Sequence, residues 1–468
     1  MNFDQIAALV VLVAVVGVLI HGKMRADVVA LTGAAVLLVL GVVRPVEVQA
    51  AFASPAVIAI ACLFVIAYAI ELSGLLGLMI RKATGLARRM GARGIWLVMG
   101  ACGAGGGFLN NTPIVVLAAP VIRDVAQSLN LSPKRFLMPL SHIAVLGGLL
   151  TLIGTSTNLL VNDMASKAGQ PAFSLFEITP VGLCIALAGG LYLYFVGARQ
   201  LVRSVEGEEA ELARLAAEKA QAEAVRRGAE RRRSRLPFGL PRLGEARNQS
   251  DGSGDAHLGD VKLFGAADRP FMARKAFISA AVFVLVILVA GLGIAPIAAS
   301  AFAGAVALIL LRVITPEEAY AGLRPDILLL IAGMVVIGIA IEVTGLAQAG
   351  AGRLIGVIEP LGPLAALFIL YGVTLFATEL LSNATVAVLV TPIAVAIAES
   401  LGVDPRPFLV GVMMAASAAF ATPFGYQTNV LVFQMGGYSY MDFVKVGLPL
   451  NLVTWVAGMV AIPIFFPF

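Results

Sequence analysis

The chain has 468 residues, of which 59% are hydrophobic and 13% charged, and its mean hydropathy is +0.94. This composition excludes a soluble globular domain and points to an all-α polytopic membrane protein. The net charge of +5 does not mark a nucleic-acid binder, because the basic residues gather at the ends of apolar runs and in one loop.

A crossing helix needs about 20 apolar residues. Spans are predicted at 5–20, 27–43, 55–73, 137–160 and 177–198, then at 276–292, 297–313, 326–343, 408–433 and 444–465. The first run lacks a basic flank and a small-residue cleavage site, so it reads as a retained span. Between the third and fourth spans of each half lies an apolar stretch broken by polar residues, at 95–122 and 362–398. Arms too short to cross alone predict re-entrant hairpins. The expected units are a first membrane repeat, 1–198, a cytoplasmic linker, 199–275, and a second membrane repeat, 276–468.

The linker is rich in Ala, Glu and Arg over 205–235, which predicts helix. Pro, Gly, Ser and Asp over 236–270 predict disorder. Its basic cluster, Arg226 to Arg235, suits an anionic lipid surface. Of the 33 Lys and Arg, this topology leaves only Arg44, Lys167, Arg353 and Arg406 outside. The positive-inside rule then sets the orientation, in a cell inner (plasma) membrane, with the first hairpin entering from the cytoplasm and the second from outside. Cys62, Cys102 and Cys184 have no metal-ligand spacing and read as packing residues.

The halves match at a nearly constant offset. Pro45/Pro316, Glu71/Glu342 and Asn158/Asn429 are 271 apart; Asn111/Asn383, Pro120/Pro392 and Phe136/Phe408 are 272 apart. With five full spans per half, the second copy is expected to be inverted, as in secondary transporters whose broken helices meet at mid-membrane.

The polar breaks carry the chemistry. The hairpin tips read Phe108-Leu109-Asn110-Asn111-Thr112-Pro113 and Leu381-Ser382-Asn383-Ala384-Thr385. Each fourth span has its own break, at Gly154-Thr155-Ser156-Thr157-Asn158 and at Ala421-Thr422-Pro423-Phe424-Gly425-Tyr426-Gln427-Thr428-Asn429. Gly and Pro unwind a helix and free its carbonyls, which suit Na⁺ together with amide and hydroxyl oxygens. Half-helix N–H groups suit an anion. The competing explanation is that small residues simply permit tight helix packing; it ranks second for the asparagines and first for Gly103 to Gly107. Glu379, one turn before Asn383, either braces the second tip or relays a proton. His142 reads as structural, and for Glu71 and Glu342, late in their spans, a backbone-binding role at an interface weighs at least as much as a functional one. No nucleophile–base pair, metal cluster or phosphate loop supports an enzyme.

These four phrases, with Gly436-Gly437-Tyr438 and Lys445 to Asn451, resemble the divalent anion–sodium symporter family (solute carrier 13), above all its sulfate-permease-like branch, within the ion transporter superfamily. The resemblance implies a homodimer that moves by an elevator motion and couples Na⁺ to uptake of sulfate or a dicarboxylate. It implies a first sodium site at Gly106, Asn110, Asn111 and Gly154, and a second at Thr378, Asn383 and Ala421. The anion would lie among Asn111, Thr112, Thr155, Ser382, Asn383, Thr422 and Pro423. The family's Ser-Asn-Thr tips read Asn-Asn-Thr and Ser-Asn-Ala here, and the regulatory domains usual in the branch's central loop are missing. The loss of a hydroxyl at Ala384 favours sulfate. The same scaffold also serves sodium/proton antiporters and arsenite exporters, and a transporter-like sensor is a third alternative.

Overall fold

The computed structural model describes residues 2–21, 24–201, 270–346 and 362–468. The linker features expected between 202 and 269, and Arg353, lie outside the described residues. All regular structure among the described residues is helical.

The first half contains α1 (Phe3–His21), α2 (Ala26–Val39), α3 (Pro45–Phe52), α4 (Pro55–Leu72) and α5 (Leu75–Met90). It continues with α6 (Ala92–Gly106), α7 (Asn111–Ser128), α8 (Lys134–Gly148), α9 (Ser156–Lys167) and α10 (Thr179–Tyr192), the last extended by a π-helical turn. The second half contains α11 (Ala273–Gly291), α12 (Ile297–Leu310), α13 (Pro316–Gly322), α14 (Pro325–Val343) and α15 (Gly362–Ala377). It ends with α16 (Asn383–Leu401), α17 (Arg406–Ser417), α18 (Gln427–Gly436) and α19 (Tyr440–Phe465).

Local chemistry accounts for the starts. Proline opens α3, α4, α13 and α14, where its missing N–H costs nothing. Ser54 and Thr315 cap α4 and α13 by accepting from Val57 and Glu318 N–H, each at 3.2 Å. Each fourth span is two helices rather than one, α8/α9 and α17/α18, divided at the polar breaks. Two expectations need correction. Residues 75–90, which fall outside every predicted span, form α5, because apolar and basic residues alternate there at helical spacing. The second hairpin arms are also longer than expected. α7 has 18 residues and α16 has 19, about 27–28 Å at 1.5 Å per residue, so α16 is long enough to cross a membrane.

Six helical stretches among the described residues are long and apolar enough to cross. α4, α11 and α12 enclose an apolar cluster of their own, with Ile66, Val286, Ala301 and Leu308. The main core holds the rest: α6, α7, α9, α10, α15, α16, α18 and α19 surround α8 and α17, Pro407 through Ser417 of α17 are entirely buried, and α14, which carries α2, packs on α16. The hairpin arms cross between halves: α7 packs on α18, and α16 packs on α9. Left-handed backbone positions recur at the offset found in the sequence, at Gly41 and Arg312, Gly74 and Gly345, and Asn130 and Gly402.

Candidate anion and cation site

Four helices begin around one cavity of about 350 Å³. Their N-caps, Asn110 of α7, Thr155 of α9, Ser382 of α16 and Tyr426 of α18, all line it. Asn110 Oδ1 accepts from Thr112 N–H at 3.1 Å, Thr155 Oγ1 from Thr157 N–H at 3.4 Å, and Ser382 Oγ from Thr385 N–H at 3.2 Å. A helix N-terminus carries roughly half a positive charge, so four of them favour an anion. Among the described residues no Lys, Arg or His lines the cavity, and one carboxylate, Glu379, does. Phe64, Phe108, Phe283 and Phe424 form an apolar part of its wall, and Ala384 puts a methyl group on it.

Around the first tip, backbone oxygens crowd against glycines. A Cβ on Gly106 would stand 2.7 Å from both Ala144 O and Asn111 Oδ1. One on Gly154 would meet Gly148 O at 2.5 Å and Gly107 O at 3.0 Å. Asn111 is 1% exposed; its Nδ2 donates to Tyr426 OH at 3.3 Å, while its Oδ1 has no hydrogen-bond partner. A buried amide oxygen without a donor carries a penalty of about 1–3 kcal/mol, which a bound cation removes. The residues around Gly106, Asn111 and Gly154 therefore fit a sodium ion. Asn110 is turned instead to its capping role.

At the second tip, Thr378 Oγ1 lies 2.8 Å from both Asn383 Oδ1 and Ala416 O. One hydroxyl hydrogen cannot serve both, so lone pairs are in surplus there too. Asn383 Nδ2 is buried without a partner. Ala421 belongs to the same neighbourhood through its N–H, which Glu379 Oε1 accepts at 2.8 Å.

Both breaks are built alike. Asn158 Nδ2 donates to Gly148 O and Thr151 O, at 3.4 and 3.0 Å; Asn429 Nδ2 donates to Ala419 O and Thr422 O, at 3.0 and 3.2 Å. Thr151 donates to Gly107 O, as Thr422 does to Glu379 O at 3.3 Å. The halves differ at Glu379, whose counterpart 272 residues earlier is Gly107. The Glu379 carboxylate accepts from Phe420, Ala421 and Thr422 N–H at 2.8–2.9 Å and from Asn451 Nδ2 at 2.7 Å. It braces the second break.

Of the residues expected around the anion, Thr112, Thr155, Ser382 and Asn383 line the cavity. Asn111 sits behind Tyr426, and Thr422 and Pro423 are not among the lining residues. Tyr426 and Gln427 were missed as site residues. Gln427 Oε1 lies 3.4 Å from Thr112 Oγ1, joining the first tip to the second break. Their signal was present in the sequence, since both belong to a break already recognised as unwound.

A family model described as "Citrate transporter" matches residues 15–402 and 373–468. An uncharacterized transporter of Synechocystis is 27% identical across 92% of each chain. Sodium/sulfate cotransporter 1 of Chlamydomonas reinhardtii is 35% identical over 29% of this chain and 16% of its own. The sodium-dependent dicarboxylate transporter of Staphylococcus saprophyticus is 29% identical over 30% of this chain and 27% of its own.

Proposed function

The chain belongs to the citrate transporter family and is a transporter rather than an enzyme; from that premise we propose that it uses a sodium gradient to take up a small divalent anion. The observation that carries this reading is the convergence of four helix N-caps on one cavity that holds no cationic side chain. Such a pocket attracts an anion but needs bound Na⁺ to neutralise a double charge, which couples the two. One sodium would lie at Gly106, Asn111 and Gly154, the other at Thr378, Asn383 and Ala421. The anion would lie between Thr112, Thr155, Ser382 and Asn383, with Gln427 and Tyr426 added and Thr422 and Pro423 moved to the supporting layer.

The separate core of α4, α11 and α12 supports an elevator. The group built on α8 and α17 would carry the site across the membrane against α2, α4, α11, α12 and α14, within an inverted-repeat homodimer. Antiport through Glu379 fits less well, because four donors point at its carboxylate and a proton there would oppose them.

Sulfate is the favoured substrate, since a tetrahedral dianion needs one convergent set of donors and Ala384 lacks a hydroxyl for a second carboxylate. A dicarboxylate is the second reading, favoured by the aromatic wall and the 350 Å³ volume. Proteoliposomes separate the two. Under an inward Na⁺ gradient, labelled sulfate should accumulate and excess thiosulfate should suppress it, while succinate should not. Sodium-driven succinate accumulation would reverse the substrate choice. Alkalinisation or acidification driven by Na⁺ without any anion would replace symport with antiport.

A further inference from the structure

Several cations of this chain have acidic partners close by. Arg25 meets Asp27 at 2.8 Å, Arg44 meets Glu47 at 2.6 Å, Arg324 meets Asp326 at 3.2 Å, and Arg406 meets Glu177. Arg274, Lys275 and Arg312 have no acidic partner among the described residues. All three line one cavity of about 310 Å³, between the start of α11 and the end of α12, and no acid among the described residues lines it.

Two of these cations stand where helix electrostatics disfavours them. Arg274 and Lys275 lie in the first turn of α11, which contains no acidic residue, beside N–H groups that already carry partial positive charge. An anion in the cavity would meet those groups and both side chains together.

Arg312 is costly in a different way. It is left-handed, with φ 54°, in the turn that closes α12: its N–H donates to Ile309 O, and Val313 N–H donates to Leu308 O. The counterpart 271 residues earlier is Gly41, with φ 75° and the same two bonds, from Gly41 to Leu38 O and from Val42 to Leu37 O. Glycine suits that turn and arginine is strained in it. The other left-handed non-glycine among the described residues is Asn130, a residue type that tolerates the conformation. Strain held at a cavity wall is a reason to look for a ligand of the strained side chain.

The location names the ligand's source. Ala273–Gly291 is long and apolar enough to cross a membrane, so its first turn lies at the membrane–water boundary, among lipid headgroups. Phe271, Met272 and Leu311, all exposed, flank the cations with apolar surface. We propose that Arg274, Lys275 and Arg312 form a binding site for the phosphate of an anionic phospholipid. The guanidinium groups bond phosphate oxygens in a fork, the ammonium adds charge, and the acyl chains run along α11 and α12.

The test uses the purified full chain, monodisperse in a neutral detergent, titrated with phosphatidylglycerol, phosphatidylcholine or inorganic phosphate. Melting temperature and retained lipid, by native mass spectrometry, are the readouts, so the outcome does not depend on the transport reading. Phosphatidylglycerol should raise the melting temperature by several degrees and remain bound; the other two should do neither. Arg312→Gly restores the residue favoured by the turn. It should therefore melt at the same or a higher temperature without lipid, yet lose the phosphatidylglycerol-dependent rise. Arg274→Gln should lose it as well. An unchanged lipid effect in both variants, or an equal effect of phosphatidylcholine, would overturn the site. An equal effect of inorganic phosphate would overturn the lipid as its source.

Discussion

A sodium ion needs oxygen lone pairs that nothing else is using. Asn111 Oδ1 offers one, buried and unbonded, while the Asn383 amide oxygen is shared with the Thr378 hydroxyl. Replacing either asparagine with alanine should raise the sodium concentration needed for half-maximal uptake by at least about tenfold, since a bond to a charged group is worth roughly 1.5–3 kcal/mol. Uptake against Na⁺ concentration in proteoliposomes reads this directly; unchanged curves for both variants would leave packing as their role. Glu379 makes a different prediction. Its Gln variant turns an amide NH₂ toward donors, so it should melt several degrees lower and lose uptake at every pH. A variant of wild-type melting temperature that lost only the pH dependence of transport would restore the proton-carrier role.

At the scale of helices, close approach is the limiting quantity. The Gly106 carbonyl-lined position tolerates no side chain, because a Cβ there would press on α8 at Ala144 O and on Asn111. Gly106→Ala should therefore cost about 1–3 kcal/mol by overpacking and displace the first tip, lowering both melting temperature and uptake. Normal uptake would remove Gly106 from the site. Much of this arrangement was legible beforehand, since both breaks and both tips carry Gly, Pro and Asn inside apolar runs. α5 was not legible as a helix, because four basic residues over 75–90 look like a charged loop until their helical spacing is considered. Nor was the bracing by Asn451, 72 residues after Glu379, which only tertiary packing brings into reach. Thr422 is less direct: its motif matches the family, but its hydroxyl donates to Glu379 O and its N–H to the Glu379 carboxylate, so it reaches the cavity through that residue.

For the whole molecule, the arrangement stands or falls on which loops face which side. In a background lacking Cys62, Cys102 and Cys184, a cysteine at Gln170 should react with an impermeant maleimide added to intact cells. One at Asn130 should react only after permeabilisation; the reverse pattern would invert the orientation. The unequal wiring of the two tips has a further consequence, in time rather than in space. In the proposed first site, an ion would meet an oxygen that is already free. In the proposed second site, the Thr378 hydroxyl must first settle on Ala416 O, or the Asn383 amide rotate so that Nδ2 faces Thr378, before the amide oxygen is released. If both proposed sites bind sodium, they should therefore load at different rates. Rapid mixing with Na⁺ should give two phases in Trp96 or Trp455 fluorescence, and Thr378→Val, which frees the amide without rotation, should merge them. A single phase in the unmodified protein would reject the difference in rates.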